Sequence, residues 1–285
     1  MSNKIIALVD GSEYSASVCD YAAWVSQRTD AAVELLHVLG PRPAAEQSDL
    51  SGSIKLGART ALMKDLASLD EQRAKLMTHR GRAILEDAHS ILISKDVTEI
   101  TTRLRHGELI ETVQKVEHDA KLIMIGKRGE TAASGTEKLG SNFERMVRAS
   151  RKPVFVAARE FKPVKTVLVA YDGGPSAIEA IDFIVREPLC QGLSILVATA
   201  GGDKGRVRDS LADAQAKLKS AGFEPTTSIV DGNPGTALAG LVAEADVDMI
   251  VMGAYSHSRI RTLVIGSTTS AMIAACKVPI VLVQK

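Results

Sequence analysis

Residues 119–126 read DAKLIMIG and residues 246–253 read DVDMIVMG. Each is a continuous apolar run closed by glycine, with an aspartate leading in. An unbroken apolar run of this length reads as a strand covered on both faces, as in a parallel sheet. The pairing recurs elsewhere. KIIALVD at 4–10 matches KTVLVAYD at 165–172, and RKPVFVA at 151–157 matches KVPIVLV at 277–283. Asp10 and Asp172 lie 162 positions apart, whereas Pro153 and Pro279 lie 126 apart. The first half therefore carries about 35 extra residues, which the landmarks place in Pro41–Arg82.

Between the strands the pattern turns helical. The second half reads as strands at 166–171, 193–199, 226–230, 248–252 and 279–284, with helices at 176–187, 204–221, 234–245 and 267–276. The first half reads as strands near 4–9, 33–38, 97–105, 121–125 and 153–158, with helices near 14–28, 82–94, 108–118 and 141–150. The insert around 55–80 reads as helical in its own right, either as a solvated excursion, a lid or a partner surface. Alternating strand and helix predicts doubly wound layers with right-handed crossovers. The fold class expected is α/β, as two tandem five-stranded parallel-sheet α/β/α domains of Rossmann-like type. Their expected bounds are 1–160 and 163–285, joined near Arg159–Lys162.

Composition narrows the function. Of 285 residues, 45% are hydrophobic and 24% charged, in the range of ordinary globular chains. A net charge of +1 and 4% aromatics favour neither nucleic acid nor an anionic membrane as partner. Three scattered cysteines with no CxxC read as reduced, mostly buried thiols. No stretch approaches the apolar length that crosses a bilayer, and the N-terminal run is too short for a secretory signal. The expected location is the cytoplasm.

The loops after the fourth strands carry the chemistry. They read GKRGETAASGTEKLGSNF at 126–143 and GAYSHSRIRTLVIGSTTS at 253–270. In an open parallel sheet ligands sit beyond the carboxyl ends of the strands, at the topological switch point. Gly126 and Gly253 open each loop, where the missing β-carbon lets another group approach. Gly140-Ser141 and Gly266-Ser267 precede a helix, whose N-terminus offers unpaired N–H groups and partial positive charge. Arg128 and Arg259 add charge nearby. Ser before a helix is also an ordinary N-cap, and Asp-Gly an ordinary turn. Neither a GxxxxGK[ST] nor a GxGxxG fingerprint is present.

This arrangement resembles the nucleotide loop of the universal stress protein family, and the resemblance spans nearly the whole chain as two copies. The family pattern runs Gly, two residues, Gly, nine residues, Gly-Ser/Thr. The second copy keeps the length, Gly253-x2-Ser256-x9-Gly266-Ser267, with Ser in place of the second Gly. The first keeps the residue types, Gly126-x2-Gly129-x10-Gly140-Ser141, with one residue more. The resemblance implies binding of ATP, ADP or AMP, with or without Mg²⁺, rather than a defined turnover. It assigns the adenine side to Asp10 and Val38 in the first copy and to Asp172 and Thr199 in the second. Gly107 and Gly232 follow the third strand, the latter in the family's Gly-x-Pro form. Around the phosphates it places Arg128, Gly129, Gly140, Ser141 and Asn142, and in the second copy Ser256, His257, Ser258, Arg259, Gly266, Ser267 and Thr268. It further implies a stress-responsive regulator acting through a protein partner, with the last strands of the two domains paired as a pseudo-dimer and further pairing of chains open. A nucleotide-free interaction protein and a slow ATPase are the alternatives. The matched loop length and Gly232-Asn233-Pro234 favour the second copy as the principal site.

Overall fold

The computed structural model describes residues 3–40, 56–129, 141–201, 205–254 and 267–284. The first half runs β1 (Lys4–Leu8), α1 (Glu13–Thr29), β2 (Ala32–Leu39), α2 (Leu56–Ser94), β3 (Ile100–His106), α3 (Leu109–Val116), β4 (Ala120–Gly126), α4 (Ser141–Ala149) and β5 (Val154–Ala157). The second half repeats the order as β6 (Thr166–Ala170), α5 (Pro175–Arg186), β7 (Ser194–Ala200), α6 (Gly205–Ser220), β8 (Thr226–Val230), α7 (Pro234–Glu244), β9 (Met249–Gly253), α8 (Ser267–Ala275) and β10 (Ile280–Val283).

Among the described residues the strands form one ten-stranded sheet, in the order β3-β2-β1-β4-β5-β10-β9-β6-β7-β8. Neighbours within each half pair in parallel, as the continuous apolar runs require. The two halves meet through β5 and β10, which pair antiparallel with Val154 opposite Leu282, Phe155 opposite Val281 and Val156 opposite Ile280.

Strand side chains alternate between two apolar layers. One contains Phe155, Val167 and Val281 under α1, α2, α5 and α6. The other contains Val154, Leu168 and Leu282 under α3, α4, α7 and α8. Each layer is continuous across the β5–β10 seam. The connector between the halves lies against α1: the Tyr21 hydroxyl donates to the Glu160 carbonyl and accepts from the Lys162 amide, both at 3.3 Å. The Tyr21 ring meets Phe155 at 5.3 Å and Phe161 at 4.9 Å between centroids.

Cross-half hydrogen bonds reinforce the seam. Lys127 Nζ donates to the Cys276 carbonyl at 2.7 Å, just past α8, and Gln284 donates to the Val147 carbonyl in α4. Arg28 Nε donates to the Leu189 carbonyl at 2.6 Å, while its guanidinium lies 5.5 Å from the Trp24 ring centroid. Burial pushes the Lys127 ammonium below its ordinary pKa.

One expectation is corrected. The region read as a separate helical insert and a helix from about 82 is a single helix, Leu56–Ser94. Its 39 residues compare with 16 in its counterpart α6. Gly81 lies inside α2, where a β-carbon would come within 2.8 Å of Leu104 and 2.9 Å of His37. Smaller differences are at the ends: β3 starts at Ile100 rather than 97, and α3 gives way to a short 3₁₀ turn at Glu117–Asp119.

Because one apolar layer runs through both halves, they unfold together. Phe155→Ala, at a fully buried position on the seam, is expected to cost about 3–5 kcal/mol. Urea denaturation followed by far-UV dichroism and tryptophan fluorescence should show one shifted transition. Two separated transitions would show that the halves are energetically independent.

Candidate functional site

The sheet order places a switch point between β1 and β4 in the first half, and between β6 and β9 in the second. At each, chain order reverses direction and the crossing loops part, leaving a crevice at the carboxyl ends. What stands at that crevice is built twice on nearly the same plan.

The plan begins with Asp-Gly. After β1, Asp10 Oδ1 accepts from the Ser12 amide at 3.0 Å and from the Ser15 hydroxyl at 3.2 Å. After β6, Asp172 Oδ1 accepts from the Gly174 amide at 2.8 Å. Both are turns closed by the aspartate on the amide two residues on. Gly11 and Gly173 between them have φ of +79° and +73°, a conformation that suits glycine. Ser12 then caps α1 by accepting from the Tyr14 amide, and Pro175 occupies the first turn of α5 behind Gly174.

The strand-four glycines answer to those helices. A β-carbon on Gly126 would lie 2.5 Å from Tyr14 Cβ, and one on Gly253 only 2.6 Å from Ser176 Cβ and 2.8 Å from its backbone carbonyl carbon. Tyr14 and Ser176 are equivalent, both 162 apart like Asp10 and Asp172. The group that approaches these two glycines is therefore the first turn of the helix after strand one. Gly129 has a different neighbour: a β-carbon there would lie 2.9 Å from Asp10 Oδ2. The loop after β4 and the aspartate after β1 thus converge in the crevice, and glycine at 129 leaves room for the carboxylate.

The remaining candidates flank this centre. Val38 in β2 is half-buried opposite Arg105, and Thr199 in β7 is buried opposite Ile229. His37, beside Val38, is turned into the core, with Nδ1 2.7 Å from the Val9 carbonyl oxygen. Gly107 and Gly232 end the third strands with φ of +127° and +112°. Asn233 caps α7 by accepting from the Gly235 amide at 3.1 Å, with Pro234 next, whereas Glu108 makes no side-chain cap on α3. Arg128 is half-buried and Asn142 exposed. Ser141 opens α4 and Ser267-Thr268 open α8, described as helical backbone only. Gly140, Ser256, His257, Ser258, Arg259 and Gly266 lie outside the described residues.

Sequence reasoning missed Tyr14, Ser15 and Ser176, the helix residues on which the turns and glycines depend. The signal for them was available as position: they follow the repeated Asp-Gly by four or five residues. Among the described residues no group of three His, Cys, Asp or Glu is placed to hold a metal, and no helix is long and apolar enough to cross a membrane. Burial pushes the Cys19 and Cys190 thiols up to about 12, and Cys276 upward as well. None of the three has the lowered pKa of a reactive thiolate.

Two mirrored α/β units sharing one sheet, each with an Asp-Gly turn beside a glycine-led loop, define a tandem protein of the doubly wound class. The universal stress protein family matches residues 1–158 and 163–284, and the chain belongs to that family. It is 31% identical to universal stress protein Slr1230 of Synechocystis sp., over 97% of this chain and 98% of that one. It is 21% identical to universal stress protein Rv1996 of Mycobacterium tuberculosis, over 98% and 94%. The crystal structure of a universal stress protein from Archaeoglobus fulgidus superposes with a TM-score of 0.76 at 20% identity, covering 100% of this chain and 99% of that one.

The glycine geometry makes a paired prediction. Gly253→Ala should destabilise the fold by about 1–3 kcal/mol, because the new methyl group meets backbone that cannot rotate away. Gly240, inside α7 with nothing within 4 Å of its added β-carbon, should gain about 0.5–1 kcal/mol on mutation to Ala. Thermal or urea melts of the two variants check both signs. A second check is chemical: in native protein at pH 8 the three thiols should resist a disulfide reagent, and all should react after unfolding in guanidinium.

Proposed function

We propose that the chain binds an adenine nucleotide, ATP, ADP or AMP, in its switch-point crevices, with the second half as the principal site, and works as a stress-responsive regulator in the cytoplasm. The observation that carries the reading is the convergence of Asp10 and Gly129 at the β1/β4 switch point, together with the matching Asp172 turn at the second one. A carboxylate there is suited to accept from an adenine amino group. The start of α8, directly downstream of the second loop, supplies amide donors and partial positive charge of the kind that holds phosphates. Family membership adds support, since the loops keep most of the family's nucleotide pattern, the second copy its length and the first its residue types. Mg²⁺ would arrive on the phosphates, because Mg²⁺ commonly keeps its waters and leans on few carboxylates. On this reading the domains are 1–160 and 163–285, with the insert at 41–82 belonging to the first.

One observation favours the alternative, an interaction protein of the same fold without nucleotide. Each strand-one aspartate already serves a turn, and each strand-four glycine already serves a helix contact. These features would persist with no ligand at all.

Native mass spectrometry and chromatography of nucleotide released from the full-length protein separate the two. One or two adenine nucleotides per chain are expected. Gly266→Asp should remove one, by setting a carboxylate against the phosphates. Asp172→Ala should narrow the preference for ATP over GTP in calorimetry while leaving much of the phosphate affinity. An empty protein that gives no heat with Mg-ATP would leave the interaction reading standing.

A further inference from the structure

The two Asp-Gly turns are alike in backbone, with Gly11 and Gly173 both at positive φ, and unlike in what holds the carboxylate. In the first half Ser15 stands at the centre of the turn. Its hydroxyl oxygen accepts from the Asp10 amide at 3.2 Å and from the Gly11 amide at 2.9 Å. The same hydroxyl donates to Asp10 Oδ1 at 3.2 Å. A hydroxyl has one proton and two lone pairs, and here all three are used. The Ser12 amide donates to Oδ1 as well, at 3.0 Å. Held by two donors, the carboxylate cannot swing about its side-chain bonds without breaking one of them. Its other oxygen, Oδ2, is the one turned toward Gly129, 2.9 Å from where a β-carbon would stand.

The second half lacks this clamp. Ser15 and Ala177 hold the same place, 162 positions apart as Asp10 and Asp172 are. Each is the third residue of its helix. Tyr14 and Ser176, one position earlier, both meet a strand-four glycine, so the two helices start at the same level. Ala177 offers no oxygen to the turn. Among the described residues the Asp172 carboxylate takes one hydrogen bond, from the Gly174 amide at 2.8 Å. Asp172 is also exposed, where Asp10 is half-buried.

The difference bears on which base is accepted. An acceptor fixed in advance pays little ordering entropy when a donor arrives. It also cannot turn away from a wrong partner. Adenine presents an amino group at the position where guanine presents a carbonyl oxygen. A clamped carboxylate keeps its repulsion for that oxygen, whereas a swinging one relieves it by rotating.

On the reading that both crevices take adenine nucleotide, we propose that Ser15 is a positioning residue. It clamps Asp10 and makes the first crevice the more base-selective of the two. Alanine at 177 leaves the second crevice with the smaller preference for adenine over guanine.

Calorimetry on the full-length protein with Mg-ATP and with Mg-GTP tests this, one crevice at a time. Gly266→Asp closes the second crevice, and Gly129→Asp, whose side chain meets Asp10, closes the first. With only the first open, Ser15→Ala should reduce the ratio of ATP to GTP affinity about 3–10-fold, the factor that ordering one side chain is worth. With only the second open, Ala177→Ser should raise that ratio by a similar factor. The ratio is the readout because a merely structural fault at the helix start would weaken both nucleotides alike. An unchanged ratio in either variant overturns the role of Ser15 and leaves nucleotide binding standing. If Ser15→Ala does not fold, Ala177→Ser decides alone. Binding that survives Gly129→Asp and vanishes with Gly266→Asp confines nucleotide to the second half, and overturns the role of Ser15 too. A wild-type protein that takes up neither nucleotide removes the binding reading itself, and the role of Ser15 with it.

Discussion

The pairing of β5 with β10 is the contact on which the rest of the structure depends. Each strand is only four residues long, and each would be the edge of its own half-sheet. An edge strand this apolar is a template for pairing with another chain. Joining the two edges removes both liabilities in one step. The register also has to be the observed one. With Phe155 opposite Val281, both point into the layer under α1 and α5, and their neighbours point into the other layer. A slip of one residue would invert every side chain on one side of the seam.

The second constraint is the closeness of helix to strand at each switch point. Gly126 and Gly253 allow α1 and α5 to start against the ends of β4 and β9. That contact fixes the Asp-Gly turn, because the turn, the helix cap and the first turn of the helix are bonded in sequence from Asp10 to Tyr14. Packing thus sets the position of the carboxylate to within the tolerance of a backbone contact. A glycine that looks like a ligand feature can in this way do structural work that any ligand would then exploit.

Much of this was legible in the chain. Strands of β-branched residues ending on Asp-Gly or Gly locate the sheet and its repeat, since a doubly covered parallel strand has little freedom in composition. Helices α5, α7 and α8 begin within a residue of their turn signals, because Pro175, Asn233-Pro234 and Gly266-Ser267 are punctuation with a steric or hydrogen-bonding cause. What was not legible depends on contacts between distant residues. The division expected between an insert ending near 80 and a helix from about 82 is absent, and Gly81 at that point is where α2 packs closely on β2 and β3. Tyr14 and Ser176 share no residue type, so the sequence marks them only by their common position after Asp-Gly, and what they do there is seen when each is found against a strand-four glycine. From the residues alone the aspartates read first as turn residues and take a ligand role only through the family resemblance, and the structure shows the turn in both halves.

The asymmetry of the repeat has a physical logic. Additional residues inside a strand or in the packed part of a helix would have disturbed register or core. At α2 they enter ahead of the packed turns. Ile84 holds the same place over Gly11 that Ser210 holds over Gly173, and beyond that level the helix is free to lengthen by continuing its own hydrogen bonds. Twenty-odd extra residues then lengthen the helix by about 35 Å without entering the sheet. A sheet whose inner edges are already sealed against each other has used up its most apolar strands for assembly within the chain.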